Sequence, residues 1–442
     1  MPFDTPVLAR PLGITLNADQ TKAMAEIMAS IAVRKPHLLT GFAGAGKTLL
    51  TQVLAVELRA KRLDVVLSAP THKAVAVLAR KLRAAGIADE DVPCVTIHKL
   101  LSLKPKVQRD QQIFVREKSA QPVVADVVVI DEASMVSADL MKHIRHYLPK
   151  AAVLFVGDPA QLPPVGEESS EAFNVPRKSH LDTIVRQGAG NPILDAADII
   201  RRSQGGAADW SWCKPAMAKP YGVYVPGDRT DAWMRRAFTS AEFAADTERF
   251  RYLCWTNARV AQVNARVRRW IYGDNIPTPF MPGERALFRA PLVVDESVLF
   301  NTNDEAVVVS IQADTRMLRV MQSKEDVVWS VPLPTWHLAL RNDNGGEVEV
   351  HMVRDEAAYK AVIAKLIDEM RWREYHRIKA SLANLQSIYA STVHTAQGST
   401  IRNCFLDVGE MRRWSRSALL ESQRACYVGA TRPTHALILV DG

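Results

Sequence analysis

The chain has 442 residues, 56 Lys plus Arg against 48 Asp plus Glu, and a formal net charge of +8. Hydrophobic residues at 48% and charged residues at 24% are average for globular chains, which argues against wholesale disorder and collagen-like repeats; no apolar run reaches the roughly 18 residues of a bilayer-spanning helix, and the start MPFDTPVLARPLG does not read as a signal peptide, so no membrane association and a cytoplasmic location are expected. Five widely spaced cysteines without a CxxC pair argue against a disulfide framework or a zinc site, and the positive balance is compatible with a polyanionic partner without identifying one.

Along the chain, HLLT (37–40), DVVLSA (64–69), DVVVID (126–131) and AVLFVGD (152–158) are short, continuously apolar segments, the pattern of strands buried on both faces of a parallel sheet. Helical periodicity lies between them, in TLLTQVLAVELRAKR and in HKAVAVLARKLRAAG, which Gly86 stops. The basic stretch 102–122 carries one β-like segment, QIFVRE, and reads as a hairpin inserted into the first domain. The pattern loosens near 188–230 into Gly, Pro and Trp-rich sequence, a crossing between domains. A second set of buried strands follows: RYLCWT (251–256), SIYAST (387–392), CFLDV (404–408) and HALILV (435–440). A block at 284–385 interrupts it, strand-like at first (EAVVVSIQ, MLRVMQS, DVVWSV), then charged and helical with Trp372 and Tyr375. The simplest organisation is two α/β domains, each with a small insert.

GFAGAGKT (41–48) matches GxxxxGK[ST] between a strand and a helix, the context that motif needs. Gly41, Gly44 and Gly46 let the backbone bend so that amides along Ala43, Ala45 and Leu49 and the helix N-terminus can face phosphate oxygens. Lys47 then reaches the β- and γ-phosphates, and Thr48 binds Mg²⁺. VVVIDEAS (127–134) ends a strand on two carboxylates, Asp131 to hold Mg²⁺ and Glu132 to act as general base. Gln161, in FVGDPAQLPPV (155–165), is placed to touch the γ-phosphate or the attacking water, although a proline turn with an exposed glutamine is the plainer alternative for that segment alone.

Read in order, these motifs resemble those of a superfamily 1 (SF1B) DNA helicase of the RecD/Dda branch. NADQTKAM (17–24) resembles the adenine-reading Q motif, with Gln20 as its glutamine; SAPTHKAV (68–75) and TIHKLL (96–101) resemble motifs Ia and Ib; IVRQGAGNPI (184–193), STVHTAQGST (391–400) and YVGATRPTHAL (427–437) resemble motifs IV, V and VI. The resemblance implies two RecA-like parallel-sheet motor domains. The first covers 1–101 and 123–187, with a β-hairpin pin at 102–122; the second covers 188–283 and 386–442, with an SH3-like insert at 284–385. It implies arginine fingers at Arg186 and Arg432, although Pro433 departs from the family pattern, and a motif V turn at Gln397 and Gly398 beside the nucleotide.

Single-strand contacts are implied at Pro70, Thr71, His72, Lys73, Thr96, His98, His394 and Thr395, all suited to holding phosphates without reading bases. Phe114 is spaced as a pin-tip aromatic; packing of the hairpin onto its parent domain is the equal alternative. The expected activity is ATP- and magnesium-dependent translocation on single-stranded DNA, 5′ to 3′, with unwinding at a duplex fork. A monomer is expected, with replication or recombination proteins as further partners. An RNA helicase of the Upf1-like branch and a nucleotide-gated DNA clamp without unwinding are the competing readings.

Overall fold

In the computed structural model, residues 14–108, 111–117, 119–183, 190–294, 297–321, 327–342 and 345–441 are described. Eight strands come first along the chain: β1 His37–Gly41, β2 Val65–Ala69, β3 Cys94–Thr96, β4 Leu103–Gln108, β5 Gln111–Arg116, β6 Val127–Ile130, β7 Ala152–Gly157 and β8 Lys178–Leu181. Six of them form a sheet in the order β3-β2-β6-β7-β1-β8, with every pairing parallel. Its centre is apolar on both faces: all of β6 and β7 is buried, with one core under the helices Ala18–Ala32, Lys47–Ala60 and His72–Ala84, and another under Ala138–Tyr147. Because β6, β7 and β1 are neighbours about 4.8 Å apart, the loops at their carboxyl ends converge, and three segments distant in sequence meet at one edge. Strands β4 and β5 form a separate antiparallel hairpin within 102–122.

A second sheet has the order Ala390–Thr392, Phe250–Cys254, Ile401–Asp407, Pro433–Val440, Tyr221–Tyr224 and Ala216–Ala218. The pairings of Ile401–Asp407 and Pro433–Val440 with their neighbours are parallel, and Ala216–Ala218 is an antiparallel edge. Helices Pro192–Arg202 and Leu419–Thr431 bury their apolar faces in its core.

The chain divides into two compact units. The first holds the first sheet and, apart from Ala390 and Ser391, the second (Met1–Trp233, Ala245–Trp255 and Thr392–Gly442); the second comprises Met234–Ala244 and Thr256–Ser391. These boundaries differ from the four segments expected, because 256–283 folds with the insert rather than with the second sheet. The physical reason is a buried network: Glu284 accepts hydrogen bonds from Ser387, Tyr389 and the amide of Met281, and pairs with Arg268 of helix Asn257–Tyr272 at 3.5 Å. The second unit is built on an antiparallel sheet in the order Glu347–Val353, Val327–Arg341, Glu305–Met321, Arg285–Phe288 and Leu385–Ser387. EAVVVSIQ and the MLRVM of MLRVMQS, expected in separate strands, lie in one strand of 17 residues, and the final Gln and Ser fall outside the described residues. The charged helical stretch breaks at Met370, φ 53°, into Glu356–Asp368 and Trp372–Ala380. Tyr375 packs on the sheet's distal core, whereas Trp372 is exposed.

Candidate nucleotide site and strand-contact residues

The P-loop leaves β1 and turns through two left-handed glycines, Gly44 (φ 87°) and Gly46 (φ 85°), where a β-carbon would be strained. Gly46 caps helix Lys47–Ala60, whose first-turn amides have no intrahelical partner. Gly41 needs closeness rather than a special φ: a β-carbon there would lie 3.1 Å from Leu181 O. Lys47 folds back, its ammonium donating to the carbonyls of Gly41 and Phe42.

A cleft of about 340 Å³ opens above this loop, within the first unit. Ala43, Gly44, Gly46, Lys47, Thr48 and Leu49 line one wall, together with Asp131, Glu132 and Gln161 from the ends of β6 and β7. Gly398, Ser399, Thr400, Thr431 and Arg432 from the second sheet line the other. The cleft therefore joins Lys47, both carboxylates and Arg432, residues from segments far apart in the sequence. Gly41, Ala45, Gln20 and Gln397 are not on its wall. Ala45 is core, and Gly41 ends β1. Arg186 lies outside the described residues.

Burial pushes the carboxyls of Asp131 and Glu132 up, and Asp131's charge adds to the rise at Glu132, while Arg432 and Lys47 pull Glu132 back down. Asp131 accepts the amide of Glu132 at 2.8 Å through one oxygen. Glu132 itself is held at φ 52°, a left-handed conformation rare outside glycine. Thr48 and Asp131 form a hard-oxygen donor set on one wall, which fits magnesium. Arg432 is buried and donates to the carbonyls of Val428 and Ser399 and to the Thr431 hydroxyl, so Pro433 following it begins a strand without disturbing its placement in the lining.

Gln397 holds the wall from behind: its amide donates to Ser134 Oγ, Gln161 Oε1 and Leu162 O at 3.1–3.2 Å, so it ties the second sheet to the loops after β6 and β7. Gln20 is buried and completes the capping box of helix Ala18–Ala32 with Asn17, leaving its Nε2 with no hydrogen-bond partner. Three site residues escape sequence reading. Lys81 lines the cleft with its ammonium 3.5 Å from Thr48 Oγ1. Asp158 is fully buried at the cleft wall, and Tyr427 reaches it from the second sheet. Lys81 is one helical cation among many, and a tyrosine within a helix carries no local signal.

The strand-contact candidates at 70–73 and 96–98 fall at helix starts. Thr71 and Thr96 cap the helices His72–Ala84 and Ile97–Leu100, accepting the amides of Ala74 and Lys99, with Pro70 just before the first cap. His72 is exposed, and Lys73 pairs with Glu248 at 3.6 Å. His98 packs on Phe114 with tilted rings whose centroids lie 4.1 Å apart, and burial, helped by the charges of His72 and His143, lowers its pKa to about 4. At neutral pH it is therefore an uncharged donor and acceptor. His394 sits edge-on to Trp255 and 3.8 Å from Glu421, and Thr395 bonds Thr392. Of the two equal readings of Phe114, pin tip and packing onto the parent domain, the geometry matches the second: it lies in mid-strand opposite Pro105, its ring against His98 and the core under Ala138–Tyr147. The strand register decides this, since Gln108 and Gln111 are the last pair before the turn. Among the described residues no helix is long and apolar enough to cross a membrane.

The glycine-rich loop after β1 and the cleft walled from two sheets are the geometry on which a resemblance to P-loop NTPases rests. A family model described as an AAA domain matches residues 15–212. The ATP-dependent DNA helicase dda of Enterobacteria phage T4 is 22% identical over 457 residues, covering 96% of this chain and 99% of that protein. The ATP-dependent RecD2 DNA helicase of Deinococcus radiodurans is 32% identical over 180 residues, 40% of this chain and 23% of its own. Among solved structures, a complex of two coordinating Pif1 helicases at forked duplex DNA aligns with TM-score 0.51 and 16% identity, over 97% of this chain and 92% of that one. Bacteroides Pif1 with ADP-AlF3 and single-stranded DNA aligns with TM-score 0.50 and 16% identity, over 96% and 92%. These structural likenesses speak for the fold of two RecA-like sheets. The resemblance to the RecD/Dda branch of superfamily 1 that the motifs carry in order is borne out by these matches.

Proposed function

We propose that this chain is an ATP-dependent DNA helicase that moves 5′ to 3′ on single-stranded DNA and unwinds duplex at a fork. The observation that carries the reading is the single cleft holding Lys47, Asp131, Glu132 and Arg432 on walls from two sheets. Hydrolysis needs charge neutralisation on the transferred phosphoryl group from both sides, and a wall from each sheet makes that conditional on closure. Lys47 and the P-loop amides hold the phosphates; Glu132 takes the proton of the attacking water, oriented with Gln161; Arg432 neutralises charge from the second sheet. Thr48 and Asp131 would hold magnesium, which would offset the negative charge of the triphosphate.

Gly398 and Gln397 give the reading its coupling. A β-carbon on Gly398 would lie 3.7 Å from both Glu132 Oε1 and Thr71 Oγ1, so one turn of the second sheet passes beside the residue we assign as general base and one we assign to strand contact. Closure is thereby felt at the DNA side, and two grips that alternate with closure advance along a strand. The 5′ to 3′ polarity, the monomeric state, the adenine contact of Gln20 through its unpartnered Nε2, and the finger role of Arg186 rest on the resemblance, and the cytoplasmic location rests on the sequence alone.

A strand-displacement assay with duplexes bearing a 5′ or a 3′ single-stranded tail tests activity and polarity together. Unwinding of the 5′-tailed substrate alone is expected, and it should vanish in Lys47→Ala while the circular dichroism spectrum is kept. Intact duplex on both substrates under saturating ATP would refute unwinding, and stronger ATPase stimulation by RNA than by DNA of equal length would refute the DNA assignment.

A further inference from the structure

Tyr427 lies within helix Leu419–Thr431 of the second sheet, five residues before Arg432, and its side chain is 1% exposed. Its hydroxyl leaves its own sheet altogether. It donates to Asp158 Oδ2 at 2.6 Å and accepts the amide of Ala43, at the bend of the P-loop, at 3.0 Å. The other oxygen of Asp158 accepts the amide of Ala160 at 3.0 Å, which holds the carboxylate rigidly at the end of β7. A phenol has one proton to donate, and here it goes to a carboxylate, the stronger kind of hydrogen bond. One buried oxygen thus joins the P-loop, the loop after β7 and the helix that carries Arg432.

We propose that the Tyr427 hydroxyl is a positioning bolt, through which closure of the second sheet on the first sets the P-loop bend, Asp158 and Arg432 in one geometry for ATP turnover. Packing alone does not require the oxygen, because phenylalanine fills the same volume. What the oxygen adds is a bond that exists only while the sheets are together. Opening must leave Asp158 and the Ala43 amide to find water, so the bolt biases the cleft toward closure when the other contacts are made. Tyr427 and Arg432 ride on one rigid helix, about 7.5 Å apart along its axis, so holding the first orients the second.

The inference rests on the helicase reading, and steady-state ATPase measured with and without saturating oligo-dT separates the two. A wild-type chain whose ATPase is not stimulated by the oligonucleotide would overturn the helicase reading and this inference with it. In a stimulated chain, Tyr427→Phe should lower kcat at saturating DNA, counted per folded molecule by circular dichroism and a thermal midpoint well above the assay temperature, about tenfold while KM for ATP moves less than about threefold. Asp158→Asn leaves the ring in place and serves if Tyr427→Phe does not fold; its kcat should fall similarly. The double variant should be no slower than the slower single variant, since both remove one bond. Wild-type kcat in Tyr427→Phe, a loss carried wholly in KM, or losses that multiply in the double variant would each overturn the bolt while leaving the helicase reading intact.

Discussion

Replacing Gly398 by alanine tests the contact between the two sheets with a magnitude that can be worked out beforehand. Gly398 has φ 75°, and a β-carbon there would stand 3.1 Å from Ala74 Cβ, on the helix that Thr71 caps. Gly86 is the internal control: its φ is 78°, and nothing lies within 4 Å of a β-carbon built on it. The left-handed backbone costs an alanine roughly 1 kcal/mol at either site. Gly398→Ala adds the close approach, because carbons prefer roughly 3.5–4 Å and a packed neighbour must shift, a further cost of about 1–3 kcal/mol. With about 1–2 °C per kcal/mol for a unit of this size, Gly86→Ala should lower the thermal midpoint by about 1–2 °C and Gly398→Ala by about 2–8 °C. Since Gly398 also lies against Glu132 and Thr71, its displacement should cost roughly tenfold or more in DNA-stimulated ATPase, whereas Gly86→Ala should cost almost none. Differential scanning fluorimetry and a coupled ATPase assay read both quantities. Equal midpoint shifts for the two variants, or full ATPase in Gly398→Ala, would refute the placement of this turn against the first sheet.

Further outcomes follow from single contacts. Glu132→Gln should retain ATP binding, measured with a fluorescent analogue, while turnover falls by roughly 10²-fold or more; near-normal turnover removes Glu132 as the base. His98, held at a pKa of about 4 against an ordinary 6.5, is protonated first in the unfolded chain. Its contribution is therefore complete above about pH 6.5 and is lost as pH falls from 6.5 toward 4. His98→Gln should flatten part of that acid-side decline in the thermal midpoint, and an unchanged slope would show that His98 titrates normally. Glu284→Ala should strip the buried Arg268 of its carboxylate and destabilise the second unit by roughly 3–5 kcal/mol. Hydrogen exchange along 256–391 reads this locally, and protection equal to wild type would refute the network's role.

Much of the site is legible because its chemistry is local. The bend of GFAGAGKT needs glycines at Gly44 and Gly46 whatever surrounds it, and a strand as apolar as VVVI has to be buried on both faces. The polar edge strands are another matter. Lys178–Leu181, with alternate residues exposed, looks like any loop until it pairs with β1, and Cys94–Thr96 is only three residues long. Spacing leaves Phe114 open between the pin tip and packing onto the parent domain, because spacing along a hairpin does not locate the turn; register does, and it sends the ring to His98.

The sequence by itself determined the class of chemistry. A phosphate loop, a pair of carboxylates after a buried strand, and motifs in a recognisable order are properties of neighbouring residues, dictated by backbone freedom and hydrophobic periodicity. Only the tertiary structure decided how the parts act on one another. Tyr427 bonds Ala43 across 384 positions, and Gln397 bonds Ser134 across 263. Contacts at such separations depend on how two sheets pack, an outcome of the whole core rather than of any segment. The same cause assigns 256–283 to the insert's unit, where a buried arginine follows its carboxylate partner, and leaves the +8 of the chain a bystander to a cleft built from a handful of placed charges.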